Sequence, residues 1–296
     1  MPIAKGAGPV NINNRRIING KDADVMQLYP MKHIFAWDAY MVGNANHWLP
    51  TEIGMQKDIE QWRSKDVLTV DERQAFETVL GFFTTADSIA ANNVVLAFYK
   101  HITSPECRMY LLRQGFEEAI HTHAYQYIVE SLGMDESKIF NMYRDVDAIY
   151  NKDKFILGFN EGIFDDNFKT GTLENDQKFL ENIVVFSLIM EGIFFYSSFA
   201  VMFGFQRQGK LTGSAEQIQY IMRDESQHLN FGINMINTIK EEQPELWTKE
   251  FQKKIVGHIK KAVVLEYTFA AEVFPRGIFG MNADGFKQYI EYIAGR

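Results

Sequence analysis

Apolar residues recur at helical spacing over four long windows, residues 70–101, 105–132, 173–207 and 215–240. The pattern predicts four helices of roughly 30 residues, on the order of 45 Å each at 1.5 Å rise per residue. Start signals stand where the windows open. Thr69 with Glu72 and Ser214 with Gln217 read as capping boxes, and Ser104 followed by Pro105 and Glu106 reads as a third start. Shorter periodic stretches predict helices over 51–62, 136–150, 247–273 and 284–293, while residues 1–30 read as irregular and polar. Strand-like alternation is absent and no Pro/Gly-rich linker divides the chain, so residues 1–296 are expected to form one all-α domain.

One stretch calls for a membrane test. Residues 183–201 are almost continuously apolar and long enough to span a bilayer, with Glu191 as their one charge. Basic flanks are missing, and a mid-helix carboxylate suits a helix wrapped by other helices better than one wrapped by lipid. Composition agrees: 296 residues with 46% hydrophobic and 23% charged side chains can bury a sizeable core. A formal charge of −8 works against binding a polyphosphate backbone, so nucleic acid is not an expected partner. The lone Cys107 cannot pair within the chain and no signal segment opens it, which together favour a reducing cytoplasm; Cys107 itself reads as a small core residue.

The candidate chemistry lies in two E-x-x-H sequences, Glu118-Ala119-Ile120-His121 and Glu225-Ser226-Gln227-His228. On a helix this spacing turns both donors to one face. Either alone is weak, but each follows a carboxylate set in an apolar face of the preceding helix. Asp87 lies 31 residues before Glu118, and Glu191 lies 34 before Glu225. The chain thus repeats a unit of helix with inward acid, turn, and helix with E-x-x-H. Two units would gather six donors at the middle of a four-helix bundle, the known donor arrangement of ferritin-like di-iron and di-manganese carboxylate proteins. Four carboxylates in an apolar core cannot all stay ionised without cations, since each unpaired buried charge costs several kcal/mol. Two ions resolve this, and the oxygen-rich donors suit iron or manganese.

The words around the donors are Ala86-Asp87-Ser88-Ile89, Phe116-Glu117-Glu118-Ala119-Ile120-His121-Thr122-His123-Ala124-Tyr125, Met190-Glu191-Gly192-Ile193-Phe194-Phe195-Tyr196-Ser197-Ser198-Phe199 and Arg223-Asp224-Glu225-Ser226-Gln227-His228-Leu229. In order and spacing over residues 30–290 they resemble the small subunit of class I ribonucleotide reductases. The resemblance implies that Asp87, Glu118 and His121 hold one ion and Glu191, Glu225 and His228 the other. It implies O2 activation by that pair, a stable radical on Tyr125, and an apolar pocket for it from Phe195, Phe199 and Ile221. It also implies an electron and proton route through Trp48 and Asp224, with Asp224 orienting His121 and Tyr220 as a more remote addition. The implied partners are a second copy of the chain and a large catalytic subunit that reduces ribonucleotides to deoxyribonucleotides.

Two departures qualify the resemblance. The wording around Asn46-His47-Trp48-Leu49-Pro50 and Glu117 to His123 is nearest to the branch with a mixed manganese/iron centre, yet that branch carries Phe where Tyr125 stands and Glu where Asp87 stands. The Asp87 and Tyr125 pair matches the di-iron tyrosyl-radical pattern, so two irons are preferred, with Mn/Fe or Mn/Mn as alternatives. The family also docks its large subunit through a flexible C-terminal extension, whereas this sequence stops at Arg296 soon after a helix. Two rival functions stay open. A stand-alone ferritin-like di-metal oxidase would need an apolar tunnel to the ions and no use for Trp48 and Asp224; a ferritin-like metal store would give no reason for Tyr125.

Overall fold

A computed structural model describes residues 11–20 and 27–295. Ten helices follow one another among them: α1 Ile34–Ala45, α2 Gln56–Arg63, α3 Val70–His101, α4 Pro105–Leu132, α5 Glu136–Asp145, α6 Asp147–Leu157, α7 Leu173–Arg207, α8 Thr212–Glu242, α9 Lys249–Val273 and α10 Ala283–Ala294. Isolated bridges, Ile18 to Ile102 and Ile278 to Met281, stand in place of strands. Helices α3, α4, α7 and α8 pack in a ring as the central bundle. Around it, α1 lies along α4 and α8, α5 and α9 cover α3, and α10 packs on α9 and α7. The expected all-α, ferritin-like bundle with flanking helices is therefore the fold.

The start signals at Thr69 and Ser104 act as read. Thr69 Oγ1 accepts from Glu72 N at 3.2 Å while Glu72 returns the bond to Thr69 N, and Ser104 Oγ accepts from Cys107 N. The expected box at Ser214 and Gln217 is not formed. Helix α8 opens earlier, at Thr212, after Leu211 in the left-handed region at φ 45°. Its cap comes from α2: the buried Asp58 carboxylate accepts from Gly213 N, Ser214 N and Ser214 Oγ at 3.0, 2.6 and 2.8 Å. A cap supplied 155 residues away leaves no local signal.

Other boundaries also shift. The stretch 51–62 divides into a 3-10 turn at Pro50–Glu52 and α2, and 136–150 divides at Val146 into α5 and α6. Helix α1 is an addition; it buries only Ala36, Ala39 and Gly43, so no stripe of large apolar residues announces it. Of the N-terminal stretch expected to be irregular, residues 1–10 and 21–26 lie outside the described residues. The part between is less polar in role than expected, because Ile17 and Ile18 are wholly buried.

Periodicity gave no warning of two π-helical stretches, Val94–Phe98 in α3 and Val185–Phe194 in α7. The second contains Glu191, and such π turns occur often at functional sites. Both α3 and α7 are long and apolar enough to cross a membrane, but their most apolar windows are 67% and 78% buried inside the protein, as core helices are. The 183–201 stretch is thus the middle of a bundle helix.

Candidate metal centre

Each central helix contributes to one cluster at mid-bundle: Asp87 from α3, Glu118 and His121 from α4, Glu191 from α7, Glu225 and His228 from α8. All six are buried, and their donor atoms form two overlapping groups, each within 4.8 Å. One group is Asp87, Glu118, His121 and Glu225; the other is Glu118, Glu191, Glu225 and His228. Glu118 and Glu225 belong to both, as two bridging carboxylates would.

Nine of these buried atoms make no hydrogen bond: both oxygens of Asp87, Glu118 and Glu225, Oε2 of Glu191, and Nδ1 of each histidine. Orphaned polar atoms at this density are too costly for a core that serves packing alone. His121 Nδ1 lies 3.1 Å from Glu225 and 3.5 Å from Asp87, and His228 Nδ1 lies 3.4 Å from both Glu118 and Glu225. The outer nitrogens are engaged elsewhere. His121 Nε2 is 3.3 Å from Asp224 Oδ2 and His228 Nε2 is 2.9 Å from Glu117 Oε2, which leaves both Nδ1 atoms facing inward. Four acids and two imidazoles aimed at two points fit a pair of divalent oxygen-preferring ions.

Electrostatics carry the same signature. Burial pushes Asp87 up to about 7 even though His121 pulls it down. Burial, then Glu225, raises Glu191 well above the usual carboxylate range. For Glu225 burial is outweighed by His228 and His121, which hold it low. Burial alone would lower both imidazoles, yet the surrounding acids hold His121 and His228 well above the ordinary histidine value. Cation binding to such a donor set is coupled to proton release.

Tyr125 lies one turn beyond His121 on α4 and is wholly buried. Burial first, then the Asp87 carboxylate, pushes its phenol far above the ordinary tyrosine value. Phe195, Phe199 and Ile221 are buried as expected, but the ring stacked on Tyr125 is Phe83, at 5.4 Å and 3°. Phe195 and Phe199 back Phe83 at 5.9 and 5.3 Å. Phe83 went unread although it stands one turn before Asp87. On the outer side of His121, Trp48 Nε1 donates to Asp224 Oδ2 at 2.8 Å and stacks on Tyr220 at 5.2 Å. His121, Asp224, Trp48 and Tyr220 thus form a continuous file. Sequence reading also missed Gln114, which donates to Glu191 Oε1 at 3.0 Å, and Glu117.

A helical bundle with a buried carboxylate and histidine cluster at its middle defines a ferritin-like dinuclear metal protein. Comparison with known proteins narrows the class. The family model described as ribonucleotide reductase, small chain, matches residues 25–296. The ribonucleoside-diphosphate reductase subunit beta of Chlamydia pneumoniae is 50% identical over 287 residues, 97% of this chain and 83% of that protein. The solved ribonucleotide reductase R2 subunit from Clostridium botulinum superposes with a TM-score of 0.85 at 30% identity, over 94% of this chain and 85% of that one. The chain belongs to the ribonucleotide reductase small-chain family, whose members are subunits of an oxidoreductase. An R2-like ligand-binding oxidase with a Mn/Fe cofactor shares the fold, with a TM-score of 0.73 at 17% identity over 92% of this chain and 94% of that one.

Proposed function

We propose that this chain is the radical-generating small subunit of a ribonucleoside-diphosphate reductase, with Asp87, Glu118, His121, Glu191, Glu225 and His228 holding two metal ions and Tyr125 storing the radical. The observation that carries the reading is the convergence of nine unpartnered donor atoms beside a tyrosine sealed from solvent. When bound, the ions supply the reducing side of O2 chemistry, and with it the oxidising equivalent for one phenol.

The chain's residues set the conditions for that oxidation. Tyr125 is wholly buried with the Asp87 carboxylate as its polar neighbour, so a proton leaving the phenol on oxidation has an acceptor at hand. The stacked Phe83, backed by Phe195 and Phe199, keeps water and reductants away from the ring, and Ile221 adds to the apolar surroundings. The file from His121 through Asp224 to Trp48 and Tyr220 gives an electron and proton a hydrogen-bonded and stacked way out to a large catalytic subunit. Asp87 and Tyr125 favour two irons over Mn/Fe or Mn/Mn. Cys107 is buried and its thiol pushed up by that burial, which suits a core residue in a reducing cytoplasm.

Electron paramagnetic resonance after addition of ferrous ion and O2 tests the reading. The native chain should show a tyrosyl signal that Tyr125→Phe lacks. A signal surviving that substitution removes Tyr125 from its role, and a coupled signal obtained only with manganese and iron together overturns the di-iron choice.

A further inference from the structure

Glu117 precedes Glu118 on α4, but its carboxylate reaches away from the donors to the outer edge of a histidine on α8. Its side chain is 2% exposed. Oε2 sits 2.9 Å from His228 Nε2, and Oε1 accepts from Arg113 Nε at 2.9 Å, one turn earlier. Arg113 in turn donates from Nη2 to the Gly43 carbonyl of α1 at 2.8 Å. There is no slack here: a Cβ on Gly43 would lie 2.9 Å from Glu117 Oε1 and 3.1 Å from Arg113 Cγ. Glycine is what lets α1 close over the pair.

Asp224 treats His121 in the same way from α8. The two acids hold equivalent places, each directly before an E-x-x-H, and each crosses to the histidine of the other repeat. Beyond the histidines the arms differ. Asp224 takes the Trp48 indole at 2.8 Å on Oδ2, with a half-exposed Arg223 at 3.3 Å on Oδ1. Glu117 takes a guanidinium whose side chain is 9% exposed and which lies over the exposed Phe116 ring at 5.3 Å, where Asp224 takes a buried indole. From the same stretch of α4, Gln114 pins Glu191 Oε1, whereas Asp87 faces His121 Nδ1 at 3.5 Å and the Tyr125 phenol. On the Glu191 and His228 side α4 thus supplies both Gln114 and Glu117 as outer partners.

We propose that Glu117, held by Arg113, is the positioning residue for His228, so that the ion position built on Glu191 and His228 depends on it far more than the one built on Asp87 and His121, although the two share Glu118 and Glu225. The inference rests on the metal-centre reading above. A carboxylate on the outer nitrogen fixes the ring, directs Nδ1 inward and strengthens it as a donor, and losing such a partner typically weakens metal binding roughly 10- to 100-fold.

Titration of the full chain with Mn(II), following the free ion by electron paramagnetic resonance, tests this without recourse to activity. The native chain should bind two ions. In Glu117→Leu one of them should weaken by roughly 10- to 100-fold and the other by less than about twofold; Glu117→Gln, which keeps an oxygen but not the charge, should weaken the same ion by roughly tenfold. Circular dichroism checks helicity, and if the Leu variant fails to fold the near-isosteric Gln variant decides. Adding Glu117→Gln to Glu191→Ala identifies the ion, because the one left at Asp87 and His121 should change by less than about twofold. Native affinity for both ions in Glu117→Gln, or equal weakening of both, overturns the inference. A native chain that binds no pair of ions overturns the metal-centre reading instead.

Discussion

His33 shows how single residues outside the metal centre tie the N-terminal segment to the bundle. Its ring lies 2.8 Å from Ser104 Oγ and 3.0 Å from Glu242, with Glu106 at 3.8 Å, while Arg15 and Lys32 approach the same acids. Burial works to lower the imidazole pKa, but Glu106 and Glu242 outweigh it and raise it above 6.5. The same contacts hold both acids below 4.5 despite burial. A raised histidine stabilises fully below 6.5 and loses its contribution as pH climbs through the folded value; lowered acids stabilise fully above 4.5 and lose theirs as pH falls. The cluster therefore contributes most between pH 4.5 and 6.5. His33→Gln should cost about 1.5–3 kcal/mol in urea unfolding at pH 6 and clearly less at pH 9; an equal cost at both values would remove the charged pairing. Residues of this kind differ in legibility. The six donors could be read because two E-x-x-H units announce them in register. Glu117 was readable too, by aligning it with Asp224, but it was hidden inside a Glu-Glu pair that resembles a solvated face. Phe83 and Asp58 act through contacts far along the chain, and of the two only Phe83 stands near a donor in sequence, one turn before Asp87.

Helices were legible where a local cap opens a long helical run, as at Ser104 before α4, and less so where tertiary contacts supply the start, as in α8. The π stretch of α7 illustrates a further limit, because an extra residue per turn changes which side chains face the core without altering composition. Close packing of α8 against that stretch depends on Gly232. A Cβ there would fall 2.3 Å from both Cβ and Oγ of Ser187, so one helix must move. Glu191 lies one turn after Ser187, and Glu225 and His228 lie on α8. Gly232→Ala should thus destabilise the fold by about 1–3 kcal/mol, as overpacking does, and loosen the metal pair as well. Thermal unfolding of the metal-free and metal-loaded chain separates the two effects. A variant whose melting is unchanged in both forms would show that α7 and α8 have room to spare.

The molecule as a whole presents an apolar surface along α4 and its neighbours. Leu112 and Phe116 of α4, Met41 and Val42 of α1, and Val95 and Leu96 of the first π stretch are all exposed. Apolar patches of this kind commonly mark an interface, and the expected second copy of the chain would cover this one. Leu112→Glu should shift the chain from dimer to monomer in sedimentation velocity while its helical content stays native; a dimer that persists places the interface elsewhere. The crossing of acids between repeats has its own consequence for how the molecule comes to be loaded. The first hairpin, α3 with α4, holds Asp87, Glu118 and His121 but lacks Glu225 and the Asp224 that steadies His121. The second lacks Glu118 and the Glu117 that steadies His228. Neither half holds a complete donor group, so on the proposed reading a growing polypeptide assembles its paired ion site only once both halves have met, when Phe83, Phe195 and Phe199 already stand around Tyr125.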